Sequence, residues 1–335
     1  MMKTIYISES THKRLPRKRQ EGMELPGFRL TKRDIEIIKA VFSYRALTTT
    51  QIEALLFNSS YFEQQLKTGV QKPHSPTRCS YRLQKLYHYG YLRREEIPQR
   101  LMDGRKPYVY FPDTKALNFL AYHEMLDDEE NTLHDKVYSA SYPFLQHLLD
   151  VNTIRIILIL AAKLKGWEVS NWIDEKTLKQ GQNLDVVTIK SHEGKVSKAS
   201  VVPDGFFTLK KGSSSYSFFL ELDRSTETGE YSTFGRRDFA RKIRTYRAYL
   251  TPQPDGTSLF EKRYGINKIR ILTITTGEKR VANLKEITEK VGGANRYWFT
   301  WMKQCTPDTI LSEEIWQIAS REGLFSLIPA KKAEG

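Results

Sequence analysis

The sequence predicts a two-part α+β chain, with three short helices and a two-stranded ribbon in front and a mixed sheet flanked by helices behind. Three observations predict it. Within the first 112 residues the hydrophobic period switches from helical to alternating. From about residue 142 onward strands and helices alternate. Between these parts lies an acidic stretch, Asp127, Asp128, Glu129 and Glu130, of the kind that marks a seam between domains. A chain of 335 residues is long enough for more than one packed core.

The formal net charge of +14 together with 12% aromatic residues describes a folded chain with a polyanionic partner, and nucleic acid leads that list. The charge is uneven: residues 1–125 hold 22 Lys/Arg against 12 Asp/Glu, and residues 126–335 hold 31 against 27. The anion-attracting field therefore sits mainly at the front. The two cysteines, Cys79 and Cys305, are far apart and have no ligand-type neighbours, which leaves neither a disulfide framework nor a structural zinc site and fits a reducing cytoplasmic setting. The most apolar run, residues 156–162, is far short of the roughly 20 residues that span a bilayer, so no membrane segment is expected. The start lacks the apolar stretch of a secretory signal.

Residues 1–27 carry Lys13, Arg14, Arg17, Lys18 and Arg19 with Pro16 and Pro26, and read as a flexible basic arm that adds phosphate contacts or merely solubilises. Residues 28–112 form the first domain. Ile35, Ile38 and Phe42 mark an amphipathic first helix. Thr50 and Glu53 have capping-box spacing and predict a second helix to about Phe57. Ser75 as N-cap, Pro76 at the first helical position and Gly90 as the stop delimit a third, with Cys79, Leu83 and Leu86 inward. Alternation over residues 91–95, a turn containing Gly104, and residues 108–111 give a hairpin. Together these are a winged helix-turn-helix, in which the third helix enters the major groove of double-stranded DNA.

Residues 113–141 read as a helical acidic connector. Residues 142–329 form the second domain, and 330–335 a tail. In the second domain a long helix is expected over 142–165. Strands are expected at 167–171, 184–190, 199–209, 216–223, 269–275 and 297–302, and helices at 236–250 and 279–291. Gly292 and Gly293 end a helix and do not form a phosphate loop, since no strand, glycine-rich run and Lys-Ser/Thr order surrounds them.

If Cys79, Leu83 and Leu86 face inward, then Thr77, Arg78, Tyr81, Arg82, Lys85 and His88 face outward as a basic, hydrogen-bonding surface. Arginine forks onto guanine edges, so Arg78 and Arg82 are the expected base readers. Arg93, Arg94, Arg105 and Lys106 on the hairpin would lie along the flanking backbone. Winged helices also serve as protein-docking modules, and a homodimer is compatible with this domain.

In the second domain Asp204 follows Val-Val-Pro, and Glu221 and Asp223 share a strand face at spacing two. Like charges on one face repel unless a cation intervenes, whether a divalent metal or Lys/Arg partners. On the next helix Lys242 shares the face of Phe239, Ile243, Tyr246 and Leu250; it either snorkels outward or points back at the carboxylates. Arg237, Arg241 and Arg244 occupy another, exposed face and either hold phosphates or are solvated. His147 reads as a helix-core histidine satisfied by a hydrogen bond.

The order Asp204 after Val-Val-Pro, then Phe-Leu-Glu221-Leu-Asp223-Arg224-Ser-Thr226, then Lys242 with Tyr246 and Tyr249, resembles the replication-relaxation family of bacterial plasmids and other mobile elements. His147-Leu-Leu-Asp-Val-Asn152 and Trp172-Ile-Asp-Glu175 are similar to it too, so the resemblance runs from about Leu30 to Trp301. It implies a winged-helix N-terminus joined to a restriction-endonuclease-like core of the PD-(D/E)-x-K type, acting in replication, DNA relaxation or transfer. It also implies metal ligation by Asp204 and Glu221, Glu175 as a supporting acid, and Lys242 as the cation that steadies the attacking water or the pentavalent phosphate, while Asp223 is the alternative further metal ligand. Mg²⁺ or Mn²⁺ would activate the water and neutralise phosphoryl charge. One departure stands: the nuclease pattern has Lys two residues after Glu221, and this chain has Asp223. A lysine migrated to position 242 restores the set. The alternative is a non-enzymatic DNA-binding regulator or replication accessory factor that keeps only the shape.

Overall fold

The structure is a computed structural model that describes residues 15–20, 25, 27–68, 78–97, 108–123, 142–190, 194–224 and 239–328. The chain divides into two compact units, residues 1–62 with 71–145 and residues 63–70 with 146–335.

The first unit opens with α1 (Lys32–Tyr44), which Thr31 and Asp34 start with a reciprocal capping box. Its buried face is Ile37, Ile38, Val41 and Tyr44, rotated from the predicted stripe, with Ile35 and Phe42 half-buried. A short strand β1 (Leu47–Thr48) leads into α2 (Thr49–Leu56). The capping box here is Thr48 with Gln51, two residues before the expected Thr50 and Glu53; both of the latter are buried. α3 (Ser60–Thr68), most of which belongs to the second unit, was not foreseen, because its sequence has no apolar stripe long enough to register. α4 (Arg78–His88) buries Cys79, Leu83 and Leu86. β2 (Leu92–Glu96) and β3 (Tyr108–Pro112) pair antiparallel, and β1 joins β3 from its other side, giving the order β1-β3-β2. α5 (Thr114–Tyr122) follows, capped by Asp113. Most of the expected connector, residues 124–141, lies outside the described residues.

Of the arm, residues 15–20 are held against α4 and β2. Gln84 donates to the Leu15 carbonyl at 2.9 Å, Arg17 to Glu96 at 2.6 Å, and Arg19 to Asp113 at 3.0 Å. This part of the expected flexible arm is therefore tied down.

The second unit begins with α6 (Tyr142–Lys165). The stretch Pro143–Lys165, with mean hydropathy 1.5, is long and apolar enough to cross a membrane, which the reading of residues 156–162 alone did not anticipate. Half of that window is buried inside the protein, and the polar Asn152 within it is buried too. β4 (Glu168–Asp174) carries a bulge at Asn171, which adopts φ 54°, and runs into the one-turn α7 (Glu175–Leu178). β5 (Asp185–Lys190) and β6 (Val196–Val201) form a separate hairpin. The expected strand over 199–209 is in fact two, β6 and β7 (Gly205–Lys211), because Pro203 cannot donate to a ladder and Asp204 turns inward between them.

β7 pairs antiparallel with β4 and with β8 (Ser214–Leu222). α8 (Phe239–Leu250) and α9 (Leu259–Tyr264) lead to β9 (Arg270–Thr275), parallel to β8. α10 (Glu278–Lys290) leads to β10 (Tyr297–Trp301), parallel to β9, and β11 (Gln317–Ile318) closes the edge. The result is a six-stranded mixed sheet, β11-β10-β9-β8-β7-β4. On one face Phe206 and Phe219 pack with Tyr246, Tyr249, Phe260 and Val281 from the helices. On the other, Arg155 of α6 lies over Trp172, which stacks on Phe207.

Candidate functional site

On α4 the predicted outward set divides. Arg78 is exposed and has no acidic partner among the described residues, Tyr81 is 51% exposed, and Lys85 sits over the Tyr81 ring at 4.7 Å. Arg82, expected as a base reader, is instead engaged within the protein. Its Nε donates to Asp34 Oδ1 at 2.7 Å and its Nη2 to Asp34 Oδ2, and Asp34 is fully buried at the start of α1. That carboxylate needs a cation, and Arg82 is the one in reach. His88 is also turned inward. It is 4% exposed and its Nε2 donates to the Pro16 carbonyl at 2.8 Å, while burial lowers its affinity for a proton. Arg94 is sandwiched between the Tyr87 and Tyr108 rings at 4.2 and 4.1 Å and donates to the Arg17 carbonyl. Arg93 remains exposed and pairs with Glu95. Thr77, Arg105 and Lys106 lie outside the described residues.

In the second unit three elements bring a carboxylate cluster together. Gly205 begins β7, and any Cβ there would meet Trp172 Cζ2 at 2.9 Å, so glycine is what lets β4 pack beside Asp204. Asp204 accepts from the Leu222 amide at 2.7 Å through Oδ2, and His147 Nε2 lies 3.0 Å from Oδ1. Glu221, near the end of β8 and 2% exposed, accepts from Lys242 Nζ at 2.9 Å and from the Tyr246 hydroxyl. Lys242 and Tyr246 stand one turn apart on α8, so both reach the same carboxylate.

The two acids are driven apart in acidity. Burial pushes Asp204 up, but the His147 bond and charge, the Lys242 charge and the Leu222 amide outweigh it and hold the carboxyl below its usual range. Burial pushes Glu221 up to about 7, helped by the Asp204 charge and opposed by Lys242 and Tyr246. Burial would lower His147, yet the Asp204 bond with the charges of Asp204, Glu175 and Glu221 raises it. Burial and neighbouring charge thus push the two acids in opposite directions, Asp204 toward its charged form and Glu221 toward its protonated one.

Asp223 does not belong to this cluster. Arg280 of α10 grips it through both oxygens, at 2.9 and 3.1 Å, and Thr275 donates to it at 2.8 Å. Its oxygens face Arg280 and Thr275, away from the Asp204–Glu221 pair. Glu175 pairs with Lys179 and acts on His147 only through its charge. Arg241 is not on a free face either: it ties α8 to the hairpin through Ser197 at 3.0 Å and the Lys198 carbonyl at 2.8 Å. Arg244 is half-buried, and Arg237 lies outside the described residues.

Sequence reasoning missed His147 as a site residue. The signal was present: His147 and Asp150 are polar residues at i and i+3 on a predominantly apolar helix, and Asp150 pairs with Arg224 at 3.2 Å just past β8. Thr273, beside Glu221 in the parallel register and 1% exposed, has a buried hydroxyl with no hydrogen-bond partner. The cluster thus has hydrogen-bonding capacity unmet by the protein itself.

Among the described residues no three His, Cys, Asp or Glu side chains stand together at ligating geometry. Mg²⁺ does not require such a cage, since it is held by one or two carboxylates and keeps several waters. Asp204 and Glu221, with an orphan hydroxyl alongside, fit that donor set.

Among solved structures, the restriction endonuclease FokI bound to DNA aligns at 11% identity with a TM-score of 0.26, and FokI alone at 12% with 0.27. Each alignment covers 83% of this chain and 45% of the other, so the chain spans less than half the length of these proteins. No curated protein matches the chain. The family model described as replication-relaxation matches residues 39–261, more than half of the sequence. The chain belongs to the replication-relaxation family.

Proposed function

We propose that this protein binds double-stranded DNA of a mobile element, such as a plasmid, during its replication or relaxation, and that Asp204, Glu221 and Lys242 form a Mg²⁺- or Mn²⁺-dependent phosphodiester-hydrolysing site. The observation that carries the reading is the convergence of these three side chains from a loop, a strand and a helix, with Glu221 Oε2 2.9 Å from Lys242 Nζ. A divalent ion held by Asp204 and Glu221 would supply neutralisation of phosphoryl charge and activation of water.

The chain's own residues do the rest. His147 and the Leu222 amide hold Asp204 charged and fixed in rotation. Tyr246 fixes Glu221, and Lys242 presents an ammonium to charge that builds on the phosphate. The first unit is read as a winged helix-turn-helix, its helices and β1-β3-β2 sheet presenting Arg78, Tyr81, Lys85 and Arg93 to the duplex.

Supercoiled plasmid incubated with protein and Mg²⁺ or Mn²⁺ tests the enzymatic half. Nicked or linear product is expected, absent in Asp204→Ala and Glu221→Ala, and reduced by about 10²-fold in Lys242→Met. Product that survives in Asp204→Ala counts against this site.

A further inference from the structure

A second cluster of cations lies away from the carboxylates. A cleft of about 290 Å³ in the second unit is lined by Arg247, Thr251, Asn295, Arg296 and Tyr297, and no acidic residue contributes to its wall. Arg247 projects from α8, and its Nη1 donates to the Val291 carbonyl at the end of α10, where a guanidinium also meets the negative end of the helix dipole. Gly292 makes this possible. It adopts φ +79°, and a Cβ there would meet Arg247 Nη1 at 2.8 Å and Cζ at 3.0 Å. The glycine pair that reads in sequence as a simple helix stop therefore also seats an arginine at the cleft.

Arg296 is exposed and without an ion-pair partner among the described residues. Both arginines line the cleft, and both guanidiniums act on the Tyr297 phenol, opposing the upward push of its burial. The Asn295 side-chain oxygen already accepts from Arg321 at 3.1 Å, which leaves its NH₂ to donate outward. Two like charges beside each other repel unless an anion lies between them. One used donor on Arg247 leaves four of the five on its planar fork, the shape that matches a phosphate.

We propose that this cleft is a phosphate-binding site in which Arg247 and Arg296, with the Asn295 amide, hold a single phosphate group. A phosphate of a bound strand and a free phosphorylated small molecule share the required chemistry.

The test uses the full chain and compares Arg296→Gln, an exposed site with no structural bond to lose, with Arg247→Lys and, as a control, the exposed Lys303→Gln. Two probes are titrated: a labelled 20-base-pair duplex at several salt concentrations, and inorganic phosphate followed by calorimetry. Weaker duplex binding in Arg296→Gln and Arg247→Lys, with the salt slope reduced by about one, supports the site with a nucleic-acid strand as source. Loss of inorganic phosphate binding with unchanged duplex affinity supports it with a free phosphate as source. Unchanged binding of both probes in both variants overturns it, as does an equal loss in Lys303→Gln, which would mark a diffuse charge effect. The same losses are expected in an Asp204→Ala background, so failure of the carboxylate site and failure of this one are separately visible.

Discussion

Arg78 and Arg82 stand four residues apart on α4 and have the same side-chain chemistry, yet one is exposed and the other paired with a buried carboxylate. Arg82 neutralises the buried Asp34, so removing one partner leaves an unpaired charge in the core. Asp34→Ala and Arg82→Met should each destabilise the first unit by about 3–5 kcal/mol in denaturant unfolding. Arg78→Ala should leave stability within about 0.5 kcal/mol and instead weaken duplex binding. The reverse pattern would mean that the roles are exchanged. Glu221 makes a prediction in pH. Its folded-state value of about 7 lies above its ordinary 4.5, so between those values the folded chain holds a proton that the unfolded chain has released. Stability should therefore fall as pH rises through that window, and Glu221→Gln should flatten the slope. Mn²⁺ affinity should move the other way, rising as Glu221 gives up its proton. Calorimetry from about pH 4.5 to 8 checks both signs.

At the scale of elements, the parts legible in the sequence are those set by local chemistry. The inward face of α4, the strands on either side of the Gly104 turn, and the alternation of strands and helices in the second unit all follow from periodicity, and the structure contains them. Asp204, Glu221 and Lys242 were legible as a group because each ends or follows a strongly patterned element. What periodicity cannot see is which charge finds which. Asp34 to Arg82 spans 48 residues and Asp223 to Arg280 spans 57, and nothing local distinguishes an arginine that will be paired from one that will face solvent. The capping box moved from Thr50 to Thr48 because both positions offer a hydroxyl three residues before a side-chain acceptor, and only β1 decides between them. Thr48→Ala should cost about 1 kcal/mol, whereas loss of the Thr50 hydroxyl removes no cap. Gly205→Ala should disturb the β4–β7 pairing and with it Asp204, a loss that Trp172→Leu in the same chain should partly relieve.

For the molecule as a whole, the excess of positive charge in residues 1–125 supplies attraction for a polyanion, while the second unit supplies the carboxylates that repel one. A carboxylate cluster of that sign needs cations to admit a phosphate, and Lys242 and His147 are the ones the protein places against Asp204 and Glu221. Whether a divalent ion enters between those two acids is therefore the deciding question. Crystals soaked in Mn²⁺ and measured at a wavelength sensitive to manganese decide it. An anomalous peak within about 2.3 Å of oxygens from both Asp204 and Glu221, lost in Asp204→Asn crystals, is the predicted result. A map with no peak there at saturating Mn²⁺, with Lys242 still bonded to Glu221, would contradict it.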